Sequence, residues 1–222
     1  MAEKTEDDIL FQEIDEELRQ DRAQKLWHAY GKYAIVAVII AVASVAGYQG
    51  WRNYDLSTRQ AVGERFTAAL DLVDTKKTDA AFKAFASIAD DGTKGYQLLA
   101  RFSQARLLAQ NGETQDAVVA YRVLADDNSI DSLYRNLAVI LGAYEELNNS
   151  GADFAELKDR LQPLMAKTSP WRFSAQEITG LLLKRSGEKT KARELFSSLT
   201  NDSGTPQGVR TRAQEMLSIL GK

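Results

Sequence analysis

The chain is 222 residues long, 44% hydrophobic, with a formal net charge of -3 and no cysteine. The missing cysteine excludes a disulfide framework and a thiolate metal site, and no basic field points to nucleic acid. The charge is uneven, because residues 1–32 hold nine acids against five bases while the rest of the chain is nearly neutral.

Ile9, Leu10, Ile14, Leu18 and Leu26 recur mostly every three or four residues, which predicts an amphipathic helical tail over residues 1–32. Acids dominate the tail up to Asp21, whereas Arg19, Arg22, Lys25 and Lys32 crowd its end.

Residues 33–51, YAIVAVIIAVASVAGYQGW, contain no charge over 19 positions. As a helix they reach about 28 Å, close to a bilayer's hydrocarbon core of about 30 Å. A soluble core helix would keep a polar stripe, and here only Ser44 and Gln49 offer one. Small-residue triplets such as Ala41, Val42, Ala43 resemble signal-cleavage sites, but the preceding segment is too long and acidic for a signal peptide's charged region. Trp27, Tyr30, Tyr33, Tyr48 and Trp51 stand near the two edges, where amphipathic rings favour the headgroup zone. A retained single transmembrane helix is therefore expected. Four bases precede it, and Arg52, Arg59 and Arg65 follow, a small bias toward the N-terminus inside. Val36, Ile39, Ala43, Gly47 and Gly50 share one helical face. In lipid, small residues such as Ala43, Gly47 and Gly50 permit close helix packing, although they also occur in helices that meet only lipid.

Residues 53–74 keep helical spacing without proline, so the span is expected to continue into a soluble helix, with Gly63 as its weak point. Beyond it the pattern is Ala- and Leu-rich and helical. Ala105, Gly112, Ala117, Tyr121 and Leu124 recur 75 residues later as Gly180, Gly187, Ala192, Phe196 and Leu199. Ala69, Ala81, Phe85 and Ile88 stand 36 residues before the first set. Asp90 and Asp91, Asp126 and Asp127, and Asn201 and Asp202 close the units. The longer offset is about twice the shorter, so a divergent unit is expected in residues 131–168, and a single helix after Pro206 to cap the array.

These positions resemble the tetratricopeptide repeat, a helical hairpin of about 34 residues. Lys76 departs from it, standing where the turn glycine would be. The expected fold is all-α: a transmembrane helix over 33–51 followed by a tetratricopeptide-like solenoid over 52–222. The resemblance implies that first helices line a concave side, whose register holds Phe66, Leu99, Phe102, Arg106, Glu177, Lys184 and Arg185. Each is equally compatible with core or plain surface.

Catalytic chemistry is not apparent. His28 beside Trp27 reads as an interfacial residue, and the acid doublets read as solvated helix caps rather than metal ligands. No glycine-rich phosphate loop follows a strand, so neither an enzyme nor a cofactor is expected.

The DEEL-containing tail, the KLWHAYGKY approach to the span and the downstream SPWRFSAQEITGLLLKRSGEKTKARELFSSL resemble the YfgM-like tetratricopeptide proteins of bacterial inner membranes. The resemblance implies a cytoplasmic N-terminus, a periplasmic repeat domain, and an ancillary role at the SecYEG translocon beside a PpiD-like folding factor. An envelope, division or stress-response scaffold, or a purely structural tether, are the other readings of the same architecture.

Overall fold

No proline occurs before Pro163, so nothing in the first part of the chain forces a helix to stop. In the computed structural model, which describes residues 6–147, 149 and 152–221, helix α1 runs from Glu6 to Asp74. Residues 1–5 of the expected tail, and the side chains of 6–23 that would carry its apolar stripe, lie outside the described residues. The helices α2 (Thr78–Asp91), α3 (Lys94–Gln110), α4 (Thr114–Asp126), α5 (Ser132–Glu146), α6 (Phe154–Leu161), α7 (Arg172–Arg185), α8 (Lys189–Asn201) and α9 (Gln207–Leu220) follow, with a 3-10 turn at Gln162–Met165. Among the described residues there is no strand. The chain divides into two compact units, Met1–Gln60 and Ala61–Lys222.

In the first unit the side chains from Leu26 to Tyr54 are largely exposed, including Val38, Ile39, Ile40 and Val42. This is the one helix among the described residues long and apolar enough to cross a membrane.

The second unit is a series of hairpins. Gly63 does not interrupt α1 as its helix propensity suggests. A Cβ there would come within 2.8 Å of the Tyr96 hydroxyl, so the glycine seats a ring that also packs on Phe66 at 5.6 Å. Each sequence repeat then occupies its expected place. Ala69, Ala105, Ala81, Ala117 and Ala192 are fully buried, and Phe85, Tyr121 and Phe196 fill the space behind them. Burying such an aromatic or a large aliphatic such as Ile88 contributes about 1.5–3 kcal/mol. The apolar clusters follow one another along the chain, from Phe85 and Ile88 to Tyr121 and Leu124, then Leu161 and Ile178, then Phe196 and Leu199.

Three first helices end in the same turn. The amides of Lys77, Glu113 and Glu188 donate to the carbonyls of Leu72, Leu108 and Leu183, five residues back. This closure needs a left-handed residue before each donor, and Lys76, Gly112 and Gly187 have φ of 57°, 83° and 81°. Lysine takes that conformation at a cost of roughly 1–2 kcal/mol, partly offset by the greater freedom glycine has when unfolded. Lys76→Gly is therefore expected to stabilise the repeat domain by about 0.5–1 kcal/mol, read as a higher urea midpoint with an unchanged slope.

The divergent unit is α5 with α6 and the 3-10 turn. Its second helix has only 8 residues. Pro163 at the start of the turn lacks the amide needed to prolong an α-helix, and Leu157, Leu161 and Leu164 supply the buried face in place of the small residue and ring of the other units. The capping helix starts after Pro206 and buries Val209 and Ala213.

Candidate functional site

Leu99, Phe102 and Arg106 lie at spacings of three and four on α3 and so share a face. Leu99 is 48% exposed and Arg106 is also exposed. Phe102 is half-buried, its ring 6.3 Å from Tyr121, and Phe66 is half-buried between Phe85 at 5.3 Å and Tyr96. These two rings thus serve the core and the surface together, whereas Leu99 and Arg106 are exposed. On another face of α3 a cleft of about 360 Å³ opens toward the start of α5, lined among others by Lys94, Leu98, Ile130 and Tyr134. Burial, then the charge of Glu145, pushes the Tyr121 phenol up to about 12, with Arg106 pulling the other way.

The remaining expected residues lie on α7. Lys184 is half-buried, with its ammonium 3.8 Å from the Met216 sulfur. Arg185 is exposed and its guanidinium stands 5.3 Å from the centre of the Phe154 ring. Glu177, expected on the open side, is only 3% exposed. Its carboxylate accepts hydrogen bonds from Arg212 Nε at 2.5 Å and Nη2 at 2.8 Å and from the Tyr144 hydroxyl at 3.0 Å. It joins α5, α7 and α9. Burial, then the charge of Glu177, pushes the Tyr144 phenol up to about 12, so at neutral pH it is a donor. The hydrogen bonds to Glu177 also raise the Arg212 guanidinium.

Three acids at the ends of second helices meet arginines while staying partly exposed. Arg65 pairs with Asp91 at 2.8 Å, Arg101 with Asp127 at 2.8 Å, and Arg172 with Asp202 at 2.7 Å. In each case an arginine on the first helix of a hairpin holds the end of the second. Asp127 also accepts from the Ser129 amide and hydroxyl, and Asp202 from the Gly204 amide. The sequence signal was present: the arginine precedes its acid by 26 residues in two units and by 30 in the last.

The Ser129 hydrogen bond, then that from Arg101, lowers the Asp127 carboxyl from 3.8 to about 2. A depressed native pKa gives stability that is present above the unfolded value and lost as pH falls through the folded one. Urea midpoints are thus expected to fall between about pH 4 and pH 2 with a component that Asp127→Asn lacks. Parallel pH profiles for the two proteins would refute this.

Among the described residues no cluster of His, Asp or Glu is placed to hold a metal ion. A family comparison matches residues 24–216 to the tetratricopeptide repeat-like domain. With helical hairpins, left-handed turns and small-residue contacts in register, the chain belongs to that tetratricopeptide repeat-like family. No curated protein and no solved structure matched it. Such a domain is a surface for protein partners, and proteins of this kind typically act as non-enzymatic scaffolds.

Proposed function

We propose that the protein is a membrane-anchored adaptor or chaperone-like subunit that holds protein partners on the first-helix face of its repeat domain. The observation that carries this reading is the exposure of Leu99 and Arg106 on α3 of a tetratricopeptide-like array, on a chain that also has a 19-residue uncharged stretch. Residues 1–32 form its tail, 33–51 its span and 52–222 its repeat domain. The likeness of the tail, the approach to the span and residues 169–199 to YfgM-like proteins favours a bacterial inner membrane, an N-terminus inside and a periplasmic repeat domain. It also favours the SecYEG translocon and a PpiD-like folding factor as partners. Ala43, Gly47 and Gly50 make the packing face of the span, and nothing lies within 4 Å of a Cβ built at Gly47 or Gly50.

The test is co-purification of the full chain in mild detergent. Translocon components are expected with the parent protein. Leu99→Ala/Arg106→Ala is expected to reduce their yield about 10-fold or more, since two interface side chains of this kind cost about 1–2 kcal/mol each, while the circular dichroism melt stays in place. Gly47→Ile is expected to lower the recovery of membrane-embedded partners without impairing insertion. Recovery of division or signalling proteins, or of the chain alone, would replace the translocon reading.

A further inference from the structure

The edges of the uncharged stretch are chemically unequal. Before it, residues 24–33 contain Lys25, His28 and Lys32 and no acid, the nearest being Asp21. Lys25, His28 and Lys32 fall at i, i+3 and i+7 and so form one stripe on α1. Lys25 and Lys32 lie about 10 Å apart along the axis. All three are exposed. The Lys32 ammonium stands 5.1 Å from the centre of the Tyr33 ring, at the boundary with the uncharged residues. Past the stretch Arg52 is exposed, and Arg59 meets an acid, Asp55, at 2.8 Å.

A second device lies on the neighbouring face. Gly31 is buried in a helix whose surrounding residues are exposed, because the Trp27 indole covers it. A Cβ at Gly31 would lie 3.1 Å and 3.2 Å from the indole Cδ2 and Cε2. The glycine thus lets the indole lie along the helix, one residue before His28 and between Lys25 and Lys32 in height. An indole at that level suits the zone between hydrocarbon and headgroups. Cations held there meet lipid phosphates.

We propose that Lys25, His28 and Lys32 form a binding site for the phosphate of an anionic phospholipid headgroup, with Trp27, seated on Gly31 on the neighbouring face, setting the depth of the stripe. The ammonium groups supply charge-assisted hydrogen bonds to the phosphate, and the imidazole N–H adds a third donor. The site rests on the membrane-anchored reading given above. It gives that anchor a lipid preference centred on the end where two lysines and a histidine stand without an acid, whereas the other end places the single Arg52 near an Arg59 and Asp55 pair.

The experiment uses the full chain carrying Trp51→Phe and Trp171→Phe, its fold checked by circular dichroism, in phosphatidylcholine vesicles. Trp27 fluorescence is quenched by an equal mole fraction of brominated phosphatidylglycerol or brominated phosphatidylcholine. The parent is expected to be quenched roughly two-fold or more strongly by the anionic lipid, since each base near the surface favours it several-fold. Lys25→Gln/Lys32→Gln is expected to bring the ratio to unity, and Lys25→Arg/Lys32→Arg to preserve it. Added inorganic phosphate at matched ionic strength is expected to leave the parent ratio unchanged, and a ratio abolished by it would reassign the site to free phosphate. Equal quenching of the parent by the two lipids would overturn the headgroup site while leaving the anchor intact. No quenching by either lipid would instead show Trp27 away from the bilayer, and the anchored reading itself would fail.

Discussion

Gly180→Val is expected to destabilise the repeat domain by about 3 kcal/mol or more, the upper range for overpacking a well-filled core. A Cβ at residue 180 would stand 2.8, 2.9 and 3.1 Å from three atoms of the Phe196 ring. That ring is fully buried, in a cluster with Leu183, Ala192, Leu199 and Val209, so it has no solvent side to turn toward. Gly180→Ala supplies a graded comparison, because the gain in helix propensity of about 1 kcal/mol offsets part of the clash. Its expected loss is about 1 kcal/mol. Gly95→Ala is the control: it is also helical, but nothing lies within 4 Å of the added carbon, and its stability is expected to rise slightly. Urea midpoints of the three variants check the order. A Gly180→Val protein as stable as Gly95→Ala would mean that the α7 and α8 contact is looser than the packing of Phe196 implies.

The same contact explains why the repeat was legible in the sequence. Where two helices approach closely, one position must be small and the position facing it must be filled, and these demands recur at fixed spacing along a solenoid. Ala69, Ala105 and Gly180 with Phe85, Tyr121 and Phe196 answer them. The middle unit answered them differently, with a short α6 and the leucines 157, 161 and 164, so the composition that marked the other units was absent there. Lys76 was recognisable as a departure, but its left-handed backbone was not, because the identity of a residue does not say whether the turn bends to accommodate it.

Pairings over long separation were the least legible. Gly63 reads as a helix weak point until Tyr96, 33 positions on, is placed against it. Asp91, Asp127 and Asp202 close their units in the sequence, and only the fold brings an arginine from the first helix of each hairpin to them. For Glu177 the register left groove, core and plain surface open. Its partner Arg212 belongs to α9, the capping helix, for which the repeat pattern supplied no corresponding residue. Leu99 and Arg106 are exposed while Glu177 is buried, since a cap changes what the last complete unit faces.

Arg212→Met is accordingly expected to cost more than Glu177→Gln, although both break the same pair. The Glu177 side chain is 4% exposed and that of Arg212 is 53% exposed. Removing the arginine leaves a carboxylate buried with the Tyr144 hydroxyl as its remaining hydrogen-bond donor, an uncompensated charge worth about 3–5 kcal/mol of lost stability. Removing the carboxylate's charge leaves an arginine that can turn to water, and the loss is then nearer about 1–2 kcal/mol. Replacing both, as Arg212→Met with Glu177→Leu, is expected to recover much of the larger loss, because no buried charge remains. Thermal and urea unfolding of the three variants measure the difference, and equal losses for the two single changes would contradict the asymmetry. Since the pair joins α5, α7 and α9, Arg212→Met is also expected to loosen amide hydrogen exchange in α9 before α3. Uniform loosening across the array would show instead that the units open together.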